Sequence, residues 1–331
     1  MTMSHGLSIR LGLAALLGAL LLPLGAGAQA AAGTGPLVTV TVTAVGDAAS
    51  VTKEDVLVRQ RDDRRPVVEW VPAYAEASLD SARDKSAGGP AGGEQAPLEL
   101  VILIDDSLDT GVGINLDDLK KFIRSLPAGT RVAVAYAQNS SAQLRQNLTD
   151  DKEAAAKALR LPLGLRDSFS SPYLAVVDLL GRLPETKGRR AVLLVSDGID
   201  LMRGVSGSSP ASNNELRRAI EQAQRRNVQV YTLYASGSGR IRRNFFLVSN
   251  GQGALSRLAL ETGGEAYFQG FGTPVSFEPF LEDLSQALSQ QYLLTFRAAP
   301  GEKAGFHRLR VTTEVPGVEL MAPTRVWVPA R

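Results

Sequence analysis

Two nearly continuous apolar runs of strand length, residues 98–104 (Leu-Glu-Leu-Val-Ile-Leu-Ile) and 191–195 (Ala-Val-Leu-Leu-Val), constrain the fold of this chain more than any other feature. A strand that is apolar at successive positions has both faces buried, so the sheet that holds it needs cover on each side. The neighbouring segments supply that cover. Residues 116–126, 152–161, 173–183, 215–226, 255–262 and 277–289 have helical spacing, whereas 131–137, 228–234 and 265–268 read as strands. Gly263-Gly264 is a helix-ending signal. Strand and helix alternate throughout, which predicts a doubly wound, mostly parallel α/β sheet with helices on both faces over residues 98–290. Ligands of such sheets bind beyond the carboxyl ends of the strands.

The flanks have a different texture. Residues 37–44 (Leu-Val-Thr-Val-Thr-Val-Thr-Ala) alternate apolar and hydroxyl side chains, and 56–58 and 66–71 are extended runs, so residues 31–77 read as a small β-rich segment. Residues 78–97 are Ala, Gly, Ser and charge with Gly-Gly pairs, a composition too poor in apolar side chains to pack and therefore a flexible linker. After residue 290 the helix signals stop. Extended runs at 292–297, 307–313 and 324–328, broken by Pro300-Gly301 and Pro316-Gly317, predict a C-terminal β-hairpin or meander over 291–331, placed to pack with the N-terminal β segment.

Residues 1–30 carry the parts of a secretory leader in order: Arg10, an uncharged apolar run over 11–24, and small residues that fit cleavage near Gln29 or Ala31. The apolar run is shorter than the roughly 20 residues a membrane span needs. The expected product is exported, periplasmic or extracellular, with no membrane span after cleavage. Cysteine is absent from the chain, which excludes disulfides, thiolate metal sites and thiol nucleophiles. Of two histidines, His5 lies in the leader, so every Ser-His-Asp or histidine–zinc arrangement would rest on His307. No Gly-x-Ser-x-Gly elbow and no phosphate loop is present. With 36 basic and 34 acidic residues the chain shows no electrostatic footprint for nucleic acid. The expected function is therefore not enzymatic.

Three segments bring oxygen donors to the carboxyl edge of the inferred sheet: Asp105-Asp106-Ser107-Leu108-Asp109, residues 168–171, and Asp197. Carboxylates and hydroxyls suit hard cations such as Mg²⁺, Mn²⁺ or Ca²⁺. The same residues also suit helix caps and turns. Residues 206–209 and 236–239 read as loops near that edge, and Arg240, Arg242 and Arg243 form a basic cluster beside Phe245 and Phe246 that reads as solvated surface or a partner contact.

These residues resemble the von Willebrand factor type A domain, and more narrowly the exported bacterial proteins called VWFA-related. Thr52-Lys53-Glu54-Asp55-Val56-Leu57-Val58 is similar to a phrase that precedes the A domain in that family, and Gln291-Tyr292-Leu293-Leu294 is similar to the way its chains finish. The family binds its cation through Asp-x-Ser-x-Ser, a distant Thr and an Asp that commonly precedes Gly. The resemblance thus implies a metal set of Asp105, Ser107, Asp109, Ser170 and Asp197, with Ser168 and Ser171 as rival registers for Ser170. Asp109 stands where the family has a second Ser, and Ser170 where it has Thr. An added carboxylate raises affinity for a dication but lowers its residual charge, which weakens the pull on an acidic side chain offered by a partner. The function implied is binding of a protein partner, in adhesion or envelope assembly, through the carboxyl edge and a divalent cation. The alternatives are a metal-independent envelope scaffold and a metal-dependent hydrolase.

Overall fold

The structure, a computed structural model, describes residues 35–47, 50–73, 97–164, 170–184 and 188–330, except for the side chain of Arg242. The leader at 1–30, nearly all of the linker at 78–97, and Ser168 lie outside the described residues.

A six-stranded sheet forms the centre. Its strands are β5 (Leu98–Asp105), β6 (Arg131–Gln138), β7 (Ser141–Thr149), β8 (Arg189–Ser196), β9 (Val228–Tyr234) and β10 (Ala266–Tyr267), in the order β10-β9-β8-β5-β6-β7. All neighbours are parallel except β7, which returns antiparallel to β6 along the edge. Alternation along β5 divides the core. Leu98, Leu100, Ile102 and Ile104 face one layer, with α1 (Leu116–Ser125), α2 (Lys152–Lys157) and α7 (Glu278–Ser289). Val101 and Leu103 face the other, with α3 (Pro172–Arg182), α5 (Asn214–Arg225) and α6 (Phe245–Thr262). Every residue of β5, β8 and β9 is buried, as strands covered on both faces require. The fold is therefore doubly wound α/β of the von Willebrand A or Rossmann-like kind. A one-turn helix, α4 (Gly204–Gly207), follows β8.

The two flanking β-rich segments interleave. β1 (Leu37–Val45) pairs antiparallel with β11 (Gln291–Arg297), which also pairs with β4 (Val67–Pro72), and β13 (Glu319–Met321) closes the other side of β1. A second sheet has the order β14-β12-β2-β3, with β2 (Val56–Gln60), β3 (Asp63–Arg65), β12 (Gly305–Thr313) and β14 (Arg325–Val328). The inward faces of both sheets share one apolar cluster that includes Val40, Val42, Val58, Leu294, Phe296, Leu309 and Val326. The tail is thus not a self-contained meander. Its strands are divided between two sheets because each sheet needs N-terminal strands to complete its pairing.

A buried polar junction ties this sandwich to the α/β sheet. Arg189 donates to Gln291 Oε1 and to the Leu288 carbonyl, both at 2.8 Å, and Gln291 Nε2 donates to Gln229 Oε1. Thr52, at the other flank, gives its amide and hydroxyl protons to Asp55 Oδ2, closing a capping turn before β2.

Candidate functional site

The chain leaves β5 toward β6 on one side and leaves β8 toward β9 on the other. The gap between the carboxyl ends of β5 and β8 is therefore the topological switch point of the sheet. Asp105 ends β5 and Ser196 ends β8, and their strands run in register, with Ile104 opposite Val195.

At this point the side chains form a buried net of carboxylates and hydroxyls. Asp105 Oδ1 accepts from the Ser107 amide (2.9 Å) and hydroxyl (2.7 Å), while Oδ2 accepts from the Ser196 hydroxyl at 2.7 Å. Asp197, fully buried, accepts from the Ile199 amide at 2.9 Å. Asp200 accepts from the Met202 amide at 2.8 Å and from the Ser171 hydroxyl at 2.6 Å. Tyr173 lies among these groups and donates to the Gly198 carbonyl at 2.6 Å. Burial first, and then the negative charges of Asp200, Asp197 and Asp105, push its hydroxyl well above the ordinary tyrosine value. One buried phenol thus feels three carboxylates.

Local chain geometry fixes these positions. Gly198 has φ +69°, and a Cβ there would sit 2.4 Å from the Gly251 carbonyl oxygen. Gly251 in turn packs against the Asp197 carbonyl, which lies 2.2 Å from where its own Cβ would be. Two glycines let α6 approach the loop after β8 closely enough to bury Asp197. Ser171 caps α3, accepting from the Leu174 amide, with Pro172 at the first helical position.

Asp106 points elsewhere. Arg160 grips it through two contacts, 2.7 Å to Oδ1 and 2.9 Å to Oδ2, and the guanidinium stacks 3.9 Å above the Tyr136 ring. The pair holds the segment after α2, since the Leu163 amide also donates to Asp106 Oδ1.

The structure places the five sequence-predicted residues unequally. Asp105 and Ser107 are in direct contact, and Asp197 follows the Ser196 that bonds Asp105. Asp109 is half-buried, caps the short turn Thr110–Asn115 through the Gly111 amide, and lines the rim of an adjoining cavity. Ser170 is half-buried immediately before the cap, whereas the hydroxyl joined to the acidic net is that of Ser171. Sequence reasoning missed Asp200 and Ser196. Ser196-Asp197-Gly198-Ile199-Asp200 shows both in the sequence, but nothing local says that the chain turns Asp200 back beside α3.

The cavity of about 560 Å³ is lined by Asp109, Ser236, Arg243, Phe271 and Val275 among others. Ile114 and Val275 on it are 73% and 88% exposed, two apolar side chains presented to solvent beside a buried polar net. The Ser236–Gly239 segment is tied to the first loop: the Asp109 amide donates to the Ser236 carbonyl at 3.0 Å and the Ser238 amide to the Ser107 carbonyl at 3.1 Å. Phe245 meets Phe271 edge to face, centroids 4.9 Å apart.

Among the described residues no group of three or more His, Cys, Asp or Glu side chains is arranged to hold a metal ion. Any cation here would be held by a mixed set of carboxylates and hydroxyls. The donor chemistry fits a hard dication. The Ser107 and Ser171 hydroxyl protons go to Asp105 and Asp200, which leaves lone pairs on both serine oxygens for coordination.

No protein-family model and no curated protein sequence matches the chain. Similar solved structures include the conserved hypothetical protein BatB from Bacteroides thetaiotaomicron, 14% identical over 58% of this chain and 97% of that one, with a TM-score of 0.42. Another is a von Willebrand factor type A protein from Catenulispora acidiphila, 13% identical over 71% of this chain and 67% of that one, TM-score 0.41. A third is the vWF domain of the type V pili tip protein Mfa5 from Porphyromonas gingivalis, 10% identical over 58% and 95%, TM-score 0.43.

Proposed function

We propose that the protein is an exported, non-enzymatic binding module that engages a protein partner at the carboxyl edge of its α/β sheet. The convergence of Asp105, Ser107, Ser171, Ser196, Asp197 and Asp200 at the switch point carries this reading. Asp105, Ser107, Asp197 and a serine at 170 or 171, with Asp109 at the rim, would hold Mg²⁺, Mn²⁺ or Ca²⁺. The ion would neutralise the buried negative charge and offer a coordination position to an acidic group of the partner. The exposed apolar rim at Ile114, Phe271 and Val275 would supply the contact area around it.

A photo-crosslinking residue in place of Val275, which is exposed and outside the acidic net, tests the reading in the exported protein. Adducts to a discrete protein that form with Mn²⁺ and disappear in chelator and in Asp105→Ala support it. Adducts indifferent to both would remove the cation, and their absence would remove the edge.

One observation favours a second reading, a metal-independent scaffold. Asp105 and Asp200 already receive hydrogen bonds at both carboxylate oxygens from this chain's own amides and hydroxyls.

Among the described residues no helix is long and apolar enough to cross a membrane.

A further inference from the structure

The flanking sandwich carries a second concentration of charge, unrelated to the acidic net. On the sheet β14-β12-β2-β3 the inward positions Val56, Val58, Gln60, His307, Leu309 and Val311 are buried, so the outward positions of the same strands face solvent. On β2 and β12 arginine occupies half of them, Arg59, Arg308 and Arg310, beside Leu57, Phe306 and Thr312. Arg310 on β12 lies directly opposite Arg59 on β2, Arg59 lies opposite Arg64 on β3, and Arg308 lies opposite Arg325 on β14. Like charges directly opposite one another weaken a sheet. In a chain with 36 basic and 34 acidic residues, bulk composition does not force this row.

The arginines line a small surface cavity. A space of about 40 Å³ is lined by Arg59, Arg61, Asp62, Arg308 and Arg310, four arginines against one aspartate, with the Arg61 guanidinium also 3.0 Å from His307 Nε2. Among the described residues, Arg59, Arg308 and Arg310 have no carboxylate partner. The turn that completes the cavity is strained: Arg61 and Asp62 have φ of +57° and +89°, where Asn-Gly would be the relaxed choice. Nearby aromatic faces are covered by the chain's own arginines, Arg325 over Phe306 at 4.8 Å and Arg225 over Trp327 at 4.3 Å, so they offer no stacking platform for bases.

We propose that the cavity bounded by Arg59, Arg61, Arg308 and Arg310 binds a phosphate-type oxyanion, as free phosphate or as the phosphate group of a lipid headgroup. Its size admits one such group, and the planar guanidinium matches phosphate oxygens through paired N–H donors. The bound anion would offset the repulsion along the arginine row. The site is independent of the cation reading above.

The test titrates inorganic phosphate into the full chain calorimetrically at constant ionic strength, with chloride as the balancing salt, and compares sedimentation with phosphatidylglycerol and phosphatidylcholine vesicles. Wild type is set beside the Arg59→Gln, Arg310→Gln double variant. Saturable phosphate binding at least tenfold weaker in the variant supports the site with a free phosphate ligand. Retention on phosphatidylglycerol alone, lost in the variant, supports it with a lipid source. The variant's unfolding midpoint in chloride should equal or exceed that of wild type, because repulsion has been removed. Phosphate no better than chloride together with no preference for phosphatidylglycerol, binding undiminished in the variant, or a lowered variant midpoint would overturn it.

Discussion

Ser196 donates a 2.7 Å hydrogen bond to Asp105 across the two central parallel strands, at the point where the chain's connections diverge to opposite sides of the sheet. Both residues are buried, and Asp105 takes its other contacts from Ser107. The hydroxyl is therefore part of what allows a carboxylate to sit at the end of a strand that is apolar from Leu100 to Ile104.

Replacing Ser196 by Ala removes that donor without adding volume. Stability should fall by about 1–3 kcal/mol, the usual cost of leaving a buried acceptor unsatisfied. The Gly198 amide, which donates to the same hydroxyl at 3.0 Å, loses its partner as well. Denaturant unfolding of the variant checks this, and an unchanged midpoint would mean that water replaces the hydroxyl.

The loop that buries Asp197 depends on the close approach of two glycines. Gly198→Ala combines a left-handed backbone with a Cβ 2.4 Å from the Gly251 carbonyl, and should cost about 2–4 kcal/mol. The expected result in thermal melts is a markedly lower midpoint, whereas Gly272→Ala, with open space around its Cβ, should be nearly silent.

Arg160 holds Asp106 by two parallel contacts and stacks on Tyr136. Arg160→Lys keeps the charge but loses the paired geometry and the planar stack, so a loss of about 1–2 kcal/mol is expected. Equal stability of the two forms in urea would show that charge alone suffices.

The helix–strand alternation was legible because strands buried on both faces and amphipathic helices leave strong periodic signals. Edge elements leave weak ones. β7 reads Ser-Ala-Gln-Leu-Arg-Gln-Asn-Leu-Thr and is largely solvent-facing; Ala142, Leu144 and Leu148 alternate with polar residues, but Gln146 interrupts them and the signal is weak. α6 begins at Phe245, ten residues before the expected start, and the added turns contain Gly251 and Gly253, which are poor helix formers. Gly251 is there to let Asp197 approach. In the site, Asp105, Ser107 and Asp197 were readable as strand-end donors. The choice among neighbouring serines depended on orientation, for which the cap signal of Ser171 before Pro172 was the available clue. The interleaving of the two β segments was not legible, since strand patterns do not name their partners.

His307 is buried on the inner face of β12, with Arg61 Nη2 3.0 Å from its Nε2. Burial, and then the nearby guanidiniums of Arg61 and Arg65, hold its pKa below the ordinary 6.5. The unfolded chain therefore binds this proton more readily than the folded one, and stability rises with pH across that interval. The unfolding midpoint should fall as pH drops from 7.5 through 6.5 to 5.5, above the carboxylate range, and His307→Gln should flatten the slope. An identical slope in the variant would place the proton uptake elsewhere.

A divalent cation held by the net at the switch point would show in the thermal unfolding midpoint measured in chelator and then in millimolar Mg²⁺, Mn²⁺ or Ca²⁺. A ligand that binds only the native state must raise the midpoint. The midpoint should rise in the wild type with at least one ion and not in Asp105→Ala; the same midpoint in chelator and in every ion would remove the cation and leave a metal-free scaffold.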